Sequence, residues 1–340
     1  MILDDTFPPD PRVENEATIL ISNGHQVFLF CLNYSKDKES ELVEEIQVKR
    51  YKSNKLIYKL SALAYTFPFY RYLIQNKIKH FLKVNKIEII HIHDIRIAQS
   101  VFEANKKLNL KVVLDLHENR PEIMKFYPHL QKFPGNYLIN PNSWKLKEEE
   151  FVKRANRIIV VTEEAKQELI LRTFKNKKDI FVVPNSVKES FYKNYNFNKD
   201  IIDRYKNNFV ILYIGDTGER RGLMTIIDAL PKLIQIIKNI KLIVLGKVDN
   251  NSTLYHSVKK SNIKLHIELA GWKSPDLFQS FIKISDICIS PLHRNLHHDT
   301  TYANKLFQYM SFGKPVLVSN ATAQKNLVEK TQSGLVHVEK

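Results

Sequence analysis

The sequence predicts an α/β protein built from two doubly wound domains that face each other across a cleft. Short apolar runs alternate with longer amphipathic segments along nearly the whole chain, as expected for parallel sheets covered by helices on both faces. The chain has 340 residues, 44% of them hydrophobic, which is enough to bury two cores. A polar segment rich in Asn and Lys, residues 188–208, divides the alternation into two series, and we place the linker there.

The first series gives the N-terminal domain, residues 1–190. A strand of barely three apolar residues opens it, and Arg12 begins a helix after a loop stiffened by three prolines. The later elements predicted for this domain are the strand Glu88–Asp94, a helix over 97–108, the strand Lys111–His117, a helix over 147–157, and strands at 158–162 and 180–184.

The second series gives the C-terminal domain, residues 205–340. Its predicted elements are the strand Phe209–Gly215, a helix over 223–237, strands at 241–246, 263–269 and 287–291, a helix from Thr300 to the stop signal at Gly313, and a strand at 315–319. The last feature, residues 334–340, is followed by no closing helix, so the sequence is expected to be a C-terminally truncated fragment. We see no internal repeat.

Composition favours a soluble protein in a reducing compartment. Cys31 and Cys288 both lie in apolar runs, without disulfide or metal-ligand spacing. The longest weakly charged apolar run, Leu60–Tyr70, is too short to span a bilayer and contains Pro68. No signal peptide is recognisable at the start of the chain.

The net charge of +16 is concentrated in one segment. Residues Ile46–Lys86 hold ten Lys or Arg and no Asp or Glu. Nucleic-acid binding, adhesion to an anionic membrane and a merely solvated basic face are the competing interpretations. Aromatic residues among the charges favour the membrane, whereas an apolar stripe at helical spacing favours ordinary core packing. The aromatic residues are Tyr65, Phe67, Phe69, Tyr70 and Tyr72, and the stripe is Leu73, Ile74, Ile78, Phe81 and Leu82. Membrane adhesion and core packing are compatible if the apolar stripe faces inward and the lysines face outward.

Five residues in the N-terminal domain are weighed as candidates for a site. Arg12 either binds an anionic ligand or pairs with a carboxylate. His117 and Glu118 follow a strand directly, where a titrating group next to a carboxylate is suited to function. His91 and His93 share one face of the neighbouring strand, and core packing is favoured there over metal binding.

The loops of the C-terminal domain point to a phosphate-containing ligand. Gly215 precedes a flexible turn in which Arg220 and Arg221 stand at a helix N-terminus, an arrangement suited to a diphosphate. The spacing is not that of a dinucleotide fingerprint. In the later helix, Thr300 or Thr301 is expected to cap the N-terminus. Asn304, Lys305 and Gln308 are the polar side chains of that helix, and an amide such as that of Gln308 can read ribose hydroxyls.

Taken together, these stretches resemble the family 4 glycosyltransferases of the two-Rossmann, GT-B type. The resemblance covers nearly the whole chain, and the order and spacing of its blocks make it specific. The blocks are DPRVENEATILISNGHQV, DLHENRPE, VTEEAKQEL, VPNSV, LYIGDTGERRGLMTIIDAL, LAGW, SDICISPL and ANKLFQYMSFGKPVLVS.

The resemblance implies transfer of a sugar from a nucleotide-diphosphate donor, with retention of configuration and without a metal or other cofactor. It places Arg221 at the diphosphate, Gln308 where the family usually has a Glu that holds the ribose, and His117 at the donor sugar. Arg12 and Glu118 then lie on the acceptor side. The chain departs from the pattern at Thr300, which usually is a second Glu, and at Asp216, which usually is an Arg.

These departures suggest a divergent subgroup. Asp299, His298 or backbone N–H groups would replace the missing Glu at Thr300, and Arg220 would compensate for the Arg missing at Asp216. We expect a cytoplasmic glycosyltransferase, peripheral at the inner membrane face, that builds a cell-surface polysaccharide on a glycan or lipid-linked acceptor. A sugar-nucleotide epimerase of similar fold and a non-enzymatic nucleic-acid-binding protein are the alternatives; for the favoured function no nucleic acid is expected as a partner.

Overall fold

A computed structural model of the chain describes residues 1–34, 37–193, 195–260 and 263–339. The chain divides into two compact units, Met1–Pro184 and Asn185–Lys340, called unit 1 and unit 2 below. Each unit contains its own sheet, mostly parallel in unit 1 and parallel in unit 2, and its own apolar cores.

Unit 1 alternates strands and helices from its first residues. Its elements are β1 (Ile2–Leu3), α1 (Pro11–Ser22), β2 (Phe28–Asn33), β3 (Ser40–Val43), β4 (Ile46–Lys52), α2 (Lys55–Ala62), α3 (Phe69–Val84), β5 (Ile89–His93), α4 (Ala98–Asn105), β6 (Lys111–Leu116), α5 (Arg120–Met124), α6 (Gly135–Leu138), α7 (Pro141–Arg154), β7 (Arg157–Val160), α8 (Glu163–Thr173) and β8 (Ile180–Val182).

The sheet of unit 1 has the strand order β3-β4-β2-β1-β5-β6-β7-β8 within the described residues. Every neighbouring pair is parallel except β3 with β4, which is antiparallel. Alternate side chains of β2 enter different cores: Phe30 and Leu32 pack in one, Leu29 and Cys31 in the other. This alternation is what a sheet covered on both faces requires.

Unit 2 repeats the same architecture. Its elements are α9 (Glu189–Lys193), α10 (Lys199–Tyr205), β9 (Phe209–Ile214), α11 (Leu223–Ile236), β10 (Ile240–Leu245), α12 (Thr253–Lys260), β11 (Ile267–Gly271), α13 (Phe278–Ile284), β12 (Ile287–Ser290), α14 (Leu296–Thr300), α15 (Asn304–Ser311), β13 (Val316–Ser319), α16 (Thr322–Thr331) and β14 (Gly334–His337).

The sheet of unit 2 is parallel throughout the part of the chain that is described, in the order β11-β10-β9-β12-β13-β14. Along β9, Leu212 packs in one core and Ile211 in the other, so helices cover both faces. The predicted fold class, two doubly wound α/β units, is confirmed. The cleft between them stays a prediction.

The polar segment predicted as the linker is largely helical. It contains α9 and α10, and Tyr205 at the end of α10 is 4% exposed in a core of unit 2. The boundary between unit 1 and unit 2 falls before this segment, after Pro184. Asn194 of this segment lies outside the described residues. The predicted strand 263–269 begins only at Ile267, because a 3-10 turn occupies Lys264–His266.

The predicted helix start at Thr300 is wrong. Thr300 is the last residue of one helix, α14, and the next helix, α15, begins only at Asn304. The N-cap of α15 is Ala303, which offers no side-chain hydrogen bond. Thr300 and Thr301 instead donate their hydroxyl groups to carbonyls of the preceding helix, Leu296 and His297.

The basic segment Ile46–Lys86 folds into β4, α2 and α3. The apolar stripe predicted here lies on α3 and is buried at Ile74, Ile78, Phe81 and Leu82, whereas Leu73 is exposed. Arg50 is buried and donates to the carbonyl oxygens of Phe7 and Lys38, so this one positive charge serves the fold. Among the described residues, no helix is long and apolar enough to cross a bilayer.

Candidate functional site

In unit 2, the loop after β9 packs closely against the loop after β12, and glycines allow this close approach. Gly215 and Gly222 have φ angles of 132° and 68°, a region that favours glycine. A Cβ on Gly222 would lie 1.8 Å from the carbonyl oxygen of Pro291. The N–H of His293 donates to the carbonyl of Arg220 at 3.0 Å. The two loops therefore form one surface beyond the carboxyl ends of their strands.

Two guanidinium groups converge on one carboxylate in the loop after β9. Nη2 of Arg220 and Nε of Arg221 each lie 3.2 Å from Oδ2 of Asp216. Burial alone would raise the pKa of Asp216, but the N–H of Gly218 and the Arg221 guanidinium outweigh burial and hold that pKa below its usual value. The N-terminus of α11 follows directly at Gly222. Two cations and a helix N-terminus at one loop suit a phosphate-containing anion.

Lys305, in the first turn of α15, brings a third cationic side chain to this loop. Nζ lies 3.4 Å from the centroid of the Tyr213 ring and 3.5 Å from where a Cβ on Gly215 would stand. The side chain is buried, and among the described residues its Nζ has no hydrogen-bond partner. Burial, and then the charges of Arg221 and Arg220, hold the pKa of Lys305 well below its usual value.

His298 orients one of the arginines. Its Nδ1–H donates to the carbonyl of His293 at 2.7 Å, which leaves Nε2 to accept from Nη1 of Arg220 at 3.4 Å. Burial lowers the pKa of His298 to about 4, with Arg221 and Arg220 acting in the same direction against the His293 bond. His298 is therefore neutral at physiological pH and acts as an acceptor for Arg220.

Thr300 and Asp299, which were expected at or near the position of the missing Glu, both make hydrogen bonds that stabilise the fold. The hydroxyl of Thr300 donates to the carbonyl of Leu296 at 2.8 Å, and Thr300 is buried. The carboxylate of Asp299 accepts from the N–H and hydroxyl of Thr322 at 2.7 and 2.8 Å, and pairs with Arg294. Asp299 thus ties α14 to the start of α16.

The remaining polar side chains of α15 are more open. Asn304 is exposed and accepts from the side-chain amide of Asn185 at 2.8 Å. Gln308 is half-buried, one turn further along the helix and on the same side as Asn304. Within the described residues its amide makes no hydrogen bond that would prevent it from meeting a ligand.

In unit 1, Arg12 pairs with a carboxylate, which is one of the two roles predicted for it. Its Nε and Nη2 bind the two oxygens of Asp115 at 2.9 and 2.8 Å, and Nη1 donates to the carbonyl of Val183 at 3.0 Å. Asp10 caps α1 and accepts the N–H of Arg12, which fixes where the side chain starts. Asp115 is fully buried, so the ion pair holds α1 to the end of β6.

His117 contacts the same carboxylate, that of Asp115. Its Nε2 lies 3.0 Å from Oδ2 of Asp115 and 3.2 Å from Nδ1 of His93. Burial would lower the pKa of His117, but the Asp115 carboxylate outweighs burial and raises it above its usual value. Glu118, the next residue, pairs with Arg120 at 3.2 Å. His117 is 22% exposed in its side chain, so it can meet a ligand while Asp115 holds it.

The two strand histidines join this cluster. Ligand-type atoms of Glu16, His91, His93 and Asp115 all lie within 4.8 Å of one another, and the two imidazole rings stack at 4.4 Å. Burial and the neighbouring Asp115 raise the pKa of Glu16 to about 8. The guanidinium of Arg12 lies 3.0 Å from Glu16 and already binds both oxygens of Asp115. Its positive charge therefore faces both carboxylates of this cluster.

Comparison with known proteins assigns the family. The model of Glycosyltransferase Family 4 matches residues 12–191, more than half of the chain. This chain belongs to glycosyltransferase family 4. A second model, Glycosyl transferases group 1, matches residues 194–340 of the same enzyme. The family 4 glycosyltransferase is thus matched across both of its units.

Individual relatives agree with this assignment. An uncharacterized glycosyltransferase of Methanocaldococcus jannaschii is 31% identical over 134 residues, which is 38% of this chain and 32% of the relative, so the match spans about a third of that protein. Sucrose-phosphate synthase of Thermosynechococcus elongatus has a TM-score of 0.71 at 15% identity, covering 98% of this chain and 85% of its own. HepE of Anabaena, solved with UDP and glucose, has a TM-score of 0.68 at 14% identity, covering 99% and 84%. At these identities the structures show a shared fold, that of GT-B glycosyltransferases.

Sequence reasoning on this glycosyltransferase missed two residues that organise the candidate sites. Asp115 is a charged residue inside the apolar run of β6, and a charge in a buried strand indicates a paired partner nearby. Tyr213 lies in the apolar run of β9, and nothing in the local sequence distinguishes it from a core aromatic. Its role comes from two contacts, since its hydroxyl donates to the carbonyl of Asp216 and its ring faces Lys305 of a distant helix.

Proposed function

We propose that this family 4 glycosyltransferase transfers a sugar from a nucleotide-diphosphate sugar to a glycan or lipid-linked acceptor, with retention of configuration. The gathering of Arg220, Arg221 and Lys305 beside the N-terminus of α11 is the observation that carries the proposal. Neighbouring structures support it, since HepE of Anabaena was solved in complex with UDP-glucose. Chemically, a diphosphate is the anion that such a set of cations would bind best.

Each side chain of unit 2 then has a part in donor binding. Arg220, Arg221 and Lys305 bind the diphosphate, with Gly215 allowing its close approach. Gln308 reads the ribose hydroxyls in place of the usual Glu, which would define a subgroup. Asn304 is near enough along α15 to assist it. Thr300, whose hydroxyl is bonded to its own helix, contributes through the backbone turn that leads into α15.

In unit 1 we assign His117 to the sugar of the donor. The raised pKa and the bond to Asp115 favour a side chain that donates a hydrogen bond. Arg12 acts through Asp115, which it holds in place, and Glu118 acts through Arg120. On the acceptor side, we therefore assign Arg12 and Glu118 as residues that position other side chains.

The mechanism we propose follows from where charge develops. As the bond between the sugar and the diphosphate breaks, negative charge grows on the leaving phosphate and positive charge on the sugar ring. Preorganised cations act most strongly at such a point, and Arg221 and Lys305 are placed for it. The acceptor oxygen would bond to the sugar on the face that the phosphate leaves, and its proton would pass to the phosphate. We propose that no metal or other cofactor is needed.

A donor panel followed by a transfer assay tests the proposal. UDP, GDP and their sugars are screened by thermal shift, because a ligand that binds only the native protein raises its melting temperature. The donor that binds is then supplied in radiolabelled form with lipid-linked acceptors, and the anomeric configuration of the product is read by NMR. Transfer with retention supports the proposal. Release of an epimerised sugar would instead favour the epimerase, and DNA binding without nucleotide-sugar binding would favour the non-enzymatic alternative.

The role of Gln308 has its own test. Gln308→Ala removes the amide that reads the ribose, so the variant is expected to lose affinity for ribose donors and to spare deoxyribose donors. The affinities of the parent and of the variant for matched ribo- and deoxyribonucleotide diphosphates are measured by calorimetry. Unchanged discrimination in Gln308→Ala would contradict the ribose contact.

We further propose that the enzyme docks at the cytoplasmic face of a membrane to build a cell-surface polysaccharide. Phe67, Phe69 and Tyr72 are 40%, 58% and 55% exposed at the start of α3. Lys55 and Lys59 are exposed on the neighbouring helix α2. Exposed aromatic rings among lysines suit an anionic bilayer surface.

A further inference from the structure

We propose that Lys305 is uncharged in the ligand-free protein and takes up one proton when a nucleotide diphosphate binds. The inference rests on the proposed function, since it concerns how that same anion site responds to pH. It makes donor affinity dependent on pH through one named side chain.

The position of the amine is the first ground. Lys305 is 8% exposed, and within the described residues its Nζ has no hydrogen-bond partner. An ammonium carries three N–H donors and has no acceptor capacity. Nζ lies 3.4 Å from the centroid of the Tyr213 ring, and such a contact favours the ammonium only modestly. A buried ammonium without oxygen acceptors is costly, and loss of the proton relieves that cost.

The charges that face the amine are the second ground. Arg221 and Arg220 reach it from the loop after β9, and His298, on α14, is neutral at physiological pH. Asp216 is the one carboxylate among these neighbours, and both arginines already share it. The hydroxyl of Tyr213 is also neutral, because burial raises its pKa. The net charge of the groups around Lys305 is therefore positive. Burial and this positive charge together hold the pKa of Lys305 well below its usual value.

A bound diphosphate changes both conditions. It brings negative charge and oxygen acceptors to Arg220, Arg221 and the amine of Lys305, so the protonated form of Lys305 gains an ion pair that the free protein lacks. The pKa of Lys305 is then higher in the complex than in the free protein. Between these two pKa values, affinity must fall as pH rises, by up to about tenfold per pH unit for one proton.

Calorimetry with a nucleotide sugar tests this directly. UDP-glucose, or the GDP-sugar that binds if UDP-glucose does not, has a diphosphate diester that does not titrate near neutrality. Binding is measured between about pH 6 and 8.5 in pairs of buffers with different ionisation enthalpies, which reports the number of protons taken up. We expect net uptake approaching one proton and affinity that weakens with rising pH.

Three variants assign the proton. Lys305→Met should abolish the uptake and flatten the pH dependence. Lys305→Arg should keep a permanent charge, so it should bind with little pH dependence. Lys238→Met, an exposed lysine before β10 at the other end of the strands, is the matched control and should behave as the parent does.

The outcomes separate this inference from the proposed function. Tight binding without proton uptake overturns the inference and leaves the donor site intact. Uptake that persists in Lys305→Met assigns the proton to another group and also overturns it. Failure of every nucleotide sugar to bind at any pH overturns the proposed function itself. If Lys305→Met misfolds, Lys305→Arg makes the same decision, because an arginine stays charged over this pH range and the variant should take up no proton.

Discussion

At the scale of the residue, Arg221 gives the sharpest test of the donor site. Arg221→Ala is expected to weaken nucleotide diphosphate binding by about 1.5–3 kcal/mol, the worth of a charged hydrogen bond, and to leave nucleoside binding nearly unchanged. Calorimetry with the diphosphate and with the bare nucleoside makes the comparison. Arg204→Ala is the matched control, because Arg204 is 64% exposed and pairs with Glu268 near the opposite end of β9. Equal losses for nucleoside and diphosphate would remove Arg221 from the site.

His117 gives a residue-scale prediction in pH. Its folded pKa is raised because Asp115 outweighs the effect of burial, so its contribution to stability is complete below the usual histidine pKa of about 6.5 and declines as pH rises through the raised value. The difference in unfolding free energy between the parent and His117→Ala should therefore shrink as pH rises from about 6. Urea titrations at several pH values measure it. A difference that stays constant with pH would contradict the Asp115 contact.

The same substitution separates a catalytic from a structural His117. If His117 meets the donor sugar, His117→Ala should lower turnover with the intact donor and leave the affinity for free nucleotide nearly unchanged. A folded variant with normal turnover would exclude the assignment. A variant that melts early at low pH, without a change in turnover when folded, would identify a histidine that serves the fold alone.

At the scale of the element, the basic segment is tested by charge replacement. Changing the five lysines Lys52, Lys55, Lys59, Lys77 and Lys79 to Gln is expected to abolish binding to anionic vesicles, since each is worth about 1 kcal/mol near such a surface. Parent binding should weaken steeply with salt, because the charges are screened beyond roughly 8 Å at physiological ionic strength. Co-sedimentation with vesicles of mixed neutral and anionic lipid measures both effects.

A matched set of lysines in unit 2 controls for net charge. The control variant replaces the exposed lysines Lys199, Lys206, Lys232, Lys238 and Lys330. It should bind vesicles as the parent does, and both variants should retain transfer to a lipid-free acceptor. Salt-insensitive binding to neutral vesicles would contradict an electrostatic dock. Binding to DNA but not to vesicles would revive the nucleic-acid interpretation.

Elements differed in how well the sequence predicted them. The strands β9, β10, β12 and β13 were predicted because each is an apolar run bounded by polar or glycine signals, and a buried parallel strand needs such a run. The break between α14 and α15 was not predicted. Thr300 looks like an N-cap in sequence, but its hydroxyl turns back to Leu296, and the direction in which a hydroxyl bonds is not encoded in residue spacing.

At the scale of the whole molecule, what the sequence could predict of the sites depended on where their contacts come from. Arg220 and Arg221 were predicted, because a strand, a glycine turn and a helix follow one another along the chain. The hydrogen bond between Arg220 and His298 was not predicted, since the two residues are 78 positions apart in the sequence. The Arg12–Asp115 pair spans 103 residues and needs the order of the sheet, in which β1 and β5 lie between β2 and β6, before the two side chains can be placed together.

The assignment of the diphosphate to unit 2 makes a last prediction, which the two tryptophans can report. Trp144 is 2% exposed in the core of unit 1, whereas Trp272 is 71% exposed in unit 2. Unfolding of unit 1 therefore changes the environment of Trp144, and unfolding of unit 2 changes that of Trp272 little. Fluorescence of Trp272→Phe then follows unit 1, and far-ultraviolet circular dichroism follows both units.

A nucleoside diphosphate, which lacks the sugar assigned to His117, should bind unit 2 alone. At a concentration about a hundred times its dissociation constant it stabilises the native protein by about 2.7 kcal/mol. We expect the ligand to raise the melting temperature of unit 2, which appears as a shift of part of the circular dichroism transition. The melting temperature reported by Trp144 fluorescence should not change. Equal shifts in both signals would mean that the ligand engages unit 1 as well or that the units unfold together. A shift in the Trp144 signal alone would place the diphosphate in the wrong unit.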